Sequence, residues 1–170
     1  MRVRQIGTGA AFAAESVFAA ALSGLSECDL VFAAEPAINQ LTEKLFLSRR
    51  LLSRELPDGI EHVIDLTCEF SEPHALRESS YFCFPVLDRS VPSLDDLRSW
   101  IERIAALEGN ILIHCAEGHG RTGLFAAALL VHTGQTETPE SALQFIQSKR
   151  PLVRLSHLQM KTLMEFSGSH

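Results

Sequence analysis

Apolar positions along the chain fall into short runs separated by stretches at helical spacing. HVIDLT, residues 62–67, is rich in β-branched residues and predicts a buried strand. YFCFPVLD at 81–88 predicts another, stopped at Pro85 or shortly after it, and NILIH at 110–114 a third. LFLSRRLL at 45–52 alternates loosely and fits either a strand or a short helix, and Pro57, Asp58 and Gly59 mark a turn after it. Ser93-Leu94-Asp95-Asp96 has a capping-box pattern, and Leu94, Leu97, Ile101, Ile104 and Leu107 then recur on one helical face until Gly109. LFAAALLVHTG at 124–134 predicts an apolar helix closed by Gly134. Thr138 and Pro139 open another helix, and Ser156 caps the last. Strands alternating with helices give an α/β class. The expected architecture is a central, mostly parallel sheet of about four to five strands flanked by helices.

The chain has 170 residues, 46% hydrophobic and 21% charged, which suits one globular domain with a full core. Its net charge of −6 argues against general nucleic-acid binding, so an anionic ligand would need a local positive pocket. Cys28, Cys68, Cys83 and Cys115 are irregularly spaced, without a CxxC pair. That disfavours a disulfide framework and a structural zinc site, and makes a reducing cytosol the simplest setting. Residues 1–44 read as an N-terminal helical extension and 45–170 as the main domain. MRVRQ followed by IGTGAAFAAESVFAAALSGL resembles a signal peptide or membrane anchor in outline. Glu15 in its middle, diluted by Thr8, Ser16 and Ser23, favours an Ala-rich soluble helix instead, with export or membrane association as the alternative.

The chemistry concentrates in HCAEGHGRTG, residues 114–123, directly after a predicted strand. A metal site built on His114, Cys115 and His119 fits poorly. Adjacent residues on a strand point to opposite faces, and Arg121 would set a fixed cation beside the metal. A Walker loop needs a lysine that is absent here. GHGRTG has the letters of a dinucleotide fingerprint but lacks the acidic partner about 20 residues on, and it leaves the cysteine unexplained. A nucleophile in an anion cradle uses every residue. Backbone N–H groups from Cys115 through Ala116, Glu117, Gly118, His119 and Gly120 to Arg121 would ring a phosphate at a helix N-terminus. The glycines let the loop curl, Arg121 closes it with a bidentate fork, and Cys115 sits at its base, where a positive nest stabilises a thiolate.

HCAEGHGRTG fits HCxxGxxR[ST] and resembles the signature of the cysteine-based protein tyrosine phosphatases. FPVLDRSVPS upstream is similar to the general-acid loop of the dual-specificity branch, and the resemblance runs from about residue 45 to about residue 166. It implies a phosphatase acting through a phosphocysteine, with no metal or other cofactor. Cys115 would be the nucleophile, Arg121 the phosphate holder, and Asp88 the general acid. Asp95 and Asp96 are rivals for that last role, although a helix first turn explains both. Thr122 would donate to the sulfur, His114 would orient the loop through a backbone hydrogen bond, and Gln159 would position water or be a plain exposed helix residue. Cys68, or alternatively Cys83, would protect an oxidised Cys115. Relatives that act on inositol lipids carry lysines in the loop, whereas Glu117 stands there here. The implied substrate is therefore a phosphoprotein, phosphotyrosine first, with phosphoserine and phosphothreonine after it. A lipid phosphatase of phosphoinositide or phosphatidylglycerophosphate type, and a non-catalytic phosphate-binding module, are the alternatives.

Overall fold

A computed structural model describes residues 35–51, 56–70 and 80–168. The Ala-rich N-terminal helix, the anchor alternative and Cys28 all lie outside the described residues. Five strands form one sheet in the order β1-β2-β5-β3-β4: β1 Ile38–Gln40, β2 Leu45–Ser48, β3 His62–Asp65, β4 Ser80–Cys83 and β5 Ile111–His114. Only the β1–β2 pair is antiparallel. The described residues hold four helices, α1 Leu94–Ala105, α2 Gly120–His132, α3 Pro139–Lys149 and α4 His157–Ser167.

Local chemistry accounts for the boundaries. Ser93 caps α1 by accepting from the Asp96 N–H, Thr138 caps α3 by accepting from the Ser141 N–H, and Ser156 caps α4 by accepting from the Gln159 N–H. Leu97, Ile101 and Ile104 of α1 are fully buried, each contributing roughly 1.5–3 kcal/mol of transfer free energy. Helix α2 is buried along an unbroken run from Arg121 to Leu130, because α1, α3, α4 and the sheet all pack against it.

The strands are shorter than their apolar runs. The strand expected at 81–88 ends at Cys83, since Pro85 has no N–H for the ladder. Only Phe84 and Val86 continue the pairing, donating to Asp65 and Leu66. Residues 45–52 resolve to a strand at 45–48. The sheet also begins ahead of residue 45: β1 pairs along β2, and Pro36–His170 makes one compact unit. Register brings the carboxyl ends of the parallel strands level, with Ser48, His114, Asp65 and Cys83 in one row. The loops beyond that row carry the site.

Candidate active site

Residues 115–119 run from the end of β5 to the start of α2. The Ala116 carbonyl accepts from the Arg50 N–H at 3.0 Å. The Glu117 and Gly118 carbonyls accept from Arg150 Nη2 at 3.2 Å and Nε at 2.9 Å. A trans peptide points the next N–H opposite to its carbonyl, so the N–H groups of Glu117, Gly118 and His119 turn inward. The Gly118 N–H donates to Cys115 Sγ at 3.2 Å. Gly118 has φ of 76°, and a Cβ there would collide with the backbone of Ser48 and Arg49. Helix α2 differs from the other three described helices in having no side-chain cap, and its first turn holds no acidic residue. Its leading N–H groups thus remain available to an anion.

Cys115 is 3% exposed and lies at the base of a cavity of about 230 Å³, lined by Glu69, Phe70, Asp88, Cys115, Ala116, Glu117, Gly120 and Arg121. The Arg121 guanidinium reaches it from α2. Its Nη1 donates to the Val86 carbonyl at 2.8 Å, and Asp88 Oδ1 stands 3.4 Å from its Nη2. Burial by itself would lower the Arg121 pKa, but the hydrogen bond to Glu69 and the charges of Cys115, Glu69 and Asp88 outweigh it and raise the value. Arg121 Nε and Thr122 Oγ1 are buried without a hydrogen-bond partner. Both are unmet buried polar groups, and Arg121 lines the cavity.

The structure brings Cys115, Arg121 and Asp88 together on one cavity, with Thr122 next in sequence on α2 but not on its lining. Asp88 is 69% exposed, in a turn closed by the Ser90 N–H on the Leu87 carbonyl. Asp95 pairs with Arg98 and Asp96 accepts from Ser93, both at the head of α1 and off the cavity lining. Thr122 makes no bond to the Cys115 sulfur, whose donor is the Gly118 N–H. His114 departs from expectation. Neither ring nitrogen makes the predicted backbone hydrogen bond, because strand alternation turns the ring to the other sheet face, 3.9 Å from Asp65. Gln159 is 2% exposed, not an exposed helix residue: its Oε1 accepts from the Ser156 N–H at 2.9 Å in a reciprocal cap. Its amide also abuts Gly120 and lines a neighbouring cavity of about 370 Å³ with Asp88, Glu117 and His119. Cys68 and Cys83 are exposed. Cys68 Sγ contacts Glu69 at 3.6 Å rather than lining the cavity, and desolvation, followed by that contact, raises its thiol above the ordinary value.

Three residues at the site were not singled out by the sequence pattern. Glu69 accepts both Arg121 amines, Nη1 at 2.9 Å and Nη2 at 2.6 Å, and this pairing pulls its carboxyl down to about 2. Its signal was position: it stands just past the end of β3, level with the loop. Arg150 is 1% exposed and ties the loop carbonyls to Pro36 and Asn39 through Nη1. Phe70 is 48% exposed on the cavity wall, with the Arg50 guanidinium 5.2 Å from its ring centre.

A cysteine under inward N–H groups, with an arginine fork above it, is a site for phosphoryl transfer to sulfur. Residues 53–169 match the family model described as dual specificity phosphatase, catalytic domain. The chain belongs to that family. This phosphatase is similar to human dual specificity protein phosphatase 16, 30% identical over 111 residues, which are 62% of this chain and 16% of that protein. It is also similar to the phosphatidylglycerophosphate phosphatase PTPMT1 of Arabidopsis thaliana, 29% identical over 93 residues, 55% of this chain and 26% of that protein. The chain thus spans less than a fifth of the first and about a quarter of the second. The solved structure of Tk-PTP in its active form has a TM-score of 0.70 and 25% identity, covering 79% of this chain and 99% of that one. PTPMT1 in complex with PI(5)P has a TM-score of 0.69 at 20% identity, covering 78% and 96%, a likeness of fold.

Proposed function

We propose that this phosphatase hydrolyses protein phosphotyrosine, with phosphoserine and phosphothreonine as slower substrates, in a cytosolic setting. The observation that carries the chemistry is the loop whose carbonyls are tied outward around the Cys115 sulfur. Cys115 attacks phosphorus as the P–O bond to the leaving group breaks, and Asp88 gives its proton to the departing oxygen. The ionised Asp88 then takes a proton from water, whose oxygen attacks phosphorus and releases inorganic phosphate and the thiolate. The inward N–H groups and Arg121 hold the equatorial oxygens throughout. Thr122, buried with its hydroxyl unpartnered, is within the same helix turn to stabilise the departing sulfur. Gln159, abutting Gly120, borders the path of the water.

Charge at the cavity mouth supports protein over lipid. Glu69, Asp88 and Glu117 line it, and Arg121 is the cation among the described lining residues. A polyanionic headgroup would meet three carboxylates. A phenyl ring would instead meet Phe70. The likeness to a phosphatidylglycerophosphate phosphatase supports the lipid alternative. Initial rates on a phosphotyrosine peptide, a phosphoserine peptide and phosphatidylglycerophosphate vesicles decide between them. We expect kcat/KM to favour phosphotyrosine by at least about tenfold, and Cys115→Ser to abolish turnover of all three. Faster turnover of the vesicles would replace the protein reading, and a Cys115→Ser variant that still turns over would end the nucleophile assignment.

A further inference from the structure

The cavity beside the phosphate cavity is the larger of the two, about 370 Å³ against about 230 Å³, and the chemistry above leaves most of it unused. Both are lined by Asp88, Glu117 and Gly120, so they adjoin across these residues. Their charges differ. Arg121 is the cation of the first, and Glu69 holds its fork. The second is lined by Arg89 from the acid turn, His119 from the loop and Arg154 from the stretch ahead of α4. Its two carboxylates are drawn elsewhere. Asp88 stands 3.4 Å from Arg121 but 3.9 Å from Arg89, and Glu117 faces His119 at 3.9 Å. Arg154 has no carboxylate partner among the described residues. Its Nη1 donates to the Pro151 and Val153 carbonyls at 2.6 and 2.8 Å, which fixes the guanidinium and leaves Nε and Nη2 for a ligand. Arg89 supplies a second observation. Its φ is 59°, and it is the one described residue other than glycine in the left-handed region. Glycine or asparagine takes such a position at lower cost. The Arg89 side chain is 93% exposed, so packing does not explain the choice. A strained position kept by a charged side chain points to use of that charge.

We propose that Arg89 and Arg154 form an anion subsite beside the catalytic loop, and that it takes the carboxylate side chain of an aspartate or glutamate close to the phosphorylated residue of a peptide. The two guanidinium groups offer that carboxylate charge-assisted hydrogen bonds from opposite elements, the acid turn and the stretch ahead of α4. A single negative charge suits the cavity better than the double charge of a second phosphate, because Asp88 and Glu117 line it too. The subsite therefore selects among phosphopeptides by the residues that flank the phosphorylated one. The inference rests on the protein reading proposed above, and the two can fail separately.

The test is steady-state kinetics on phosphotyrosine peptides with alanine at every neighbouring position, or with one aspartate placed at each of those positions in turn. An aryl phosphate, which carries no second anion, is the internal reference. We expect the best-placed aspartate to raise kcat/KM about tenfold over the alanine peptide, through KM rather than kcat, with the gain shrinking as salt is added. Arg154→Gln and Arg89→Gly should each cut the gain to about twofold or less while aryl phosphate turnover stays within about twofold of wild type. Arg154→Lys, which keeps the charge, should retain part of the gain. Arg89→Gly should also melt no lower than wild type, since glycine suits that φ. Where Arg154→Gln does not fold, for loss of its bonds to Pro151 and Val153, Arg89→Gly decides alone. If no aspartate gives a gain, or the gain survives in Arg89→Gly, the subsite is refuted while the phosphotyrosine reading stands. If phosphatidylinositol phosphate vesicles outpace every peptide and Arg89→Gly removes that advantage, the cavity serves a lipid headgroup, and the proposal falls together with the protein reading.

Discussion

Glu69 holds both amines of the Arg121 fork, so the cavity is closed on one side by an internal ion pair. The pairing pulls the Glu69 carboxyl from its ordinary 4.5 down to about 2. A lowered value means the folded state prefers the ionised form. The stabilisation is therefore full above about 4.5 and fades as pH falls from there through about 2. Glu69→Gln cannot titrate. The stability gap between wild type and Glu69→Gln, measured by urea denaturation, should be constant near neutrality and shrink steadily on acidification across that window. A gap that does not change with pH would mean the pair contributes nothing through its charge. Nothing in the local sequence announces this partner, since Glu69 and Arg121 are 52 residues apart and meet only because β3 and β5 are neighbours. That Cys115, Arg121 and Asp88 line one cavity was legible because the loop and the Asp88 turn are each a continuous stretch.

At the scale of elements, the loop is rigid for reasons that the glycines expose. Gly118 and Gly134 both adopt positive φ, 76° and 67°, but a Cβ on Gly118 would strike the Ser48 backbone while one on Gly134 would meet nothing within 4 Å. Gly134→Ala should therefore cost about 1 kcal/mol, the ordinary penalty at a helix C-terminus. Gly118→Ala should cost at least about 3 kcal/mol, since backbone must also move, and should abolish turnover. Thermal denaturation of the two variants checks the ordering, and equal losses would refute it. The helices were read closely from their caps, because Ser93, Thr138 and Ser156 act on neighbours three residues on. The strands were read too long because an apolar run does not reveal where pairing stops. Phe84 and Val86 are buried, yet they belong to the chain that carries Asp88 over the site.

For the whole molecule, Arg150 joins parts that are far apart in sequence. It reaches Gly118 and Glu117 at the loop, and Pro36 and Asn39 ahead of and within β1. A fragment of residues 36–170 should fold and hydrolyse an aryl phosphate at close to the full chain's rate. A fragment of residues 45–170, cut at the boundary the sequence suggests, loses β1 and two partners of a buried guanidinium. It should be less stable by at least about 2 kcal/mol and show weaker phosphate inhibition, and equal melting curves for the two fragments would refute the role given to β1. That boundary was illegible because INQ is too short to show a period, and because a buried arginine's partners are not encoded near it.

Trp100 is the chain's single tryptophan, and its ring stacks on Phe84 at 5.1 Å and on Phe125 at 6.1 Å. Phe84 begins the segment that carries Asp88, while Phe125 belongs to the fully buried centre of α2. The indole is therefore a built-in optical gauge between the buried helix α2 and the segment that leads to Asp88, the proposed general acid. A shift of that segment on vanadate binding would change the emission of Trp100 alone, without any label, so stopped-flow fluorescence would time it.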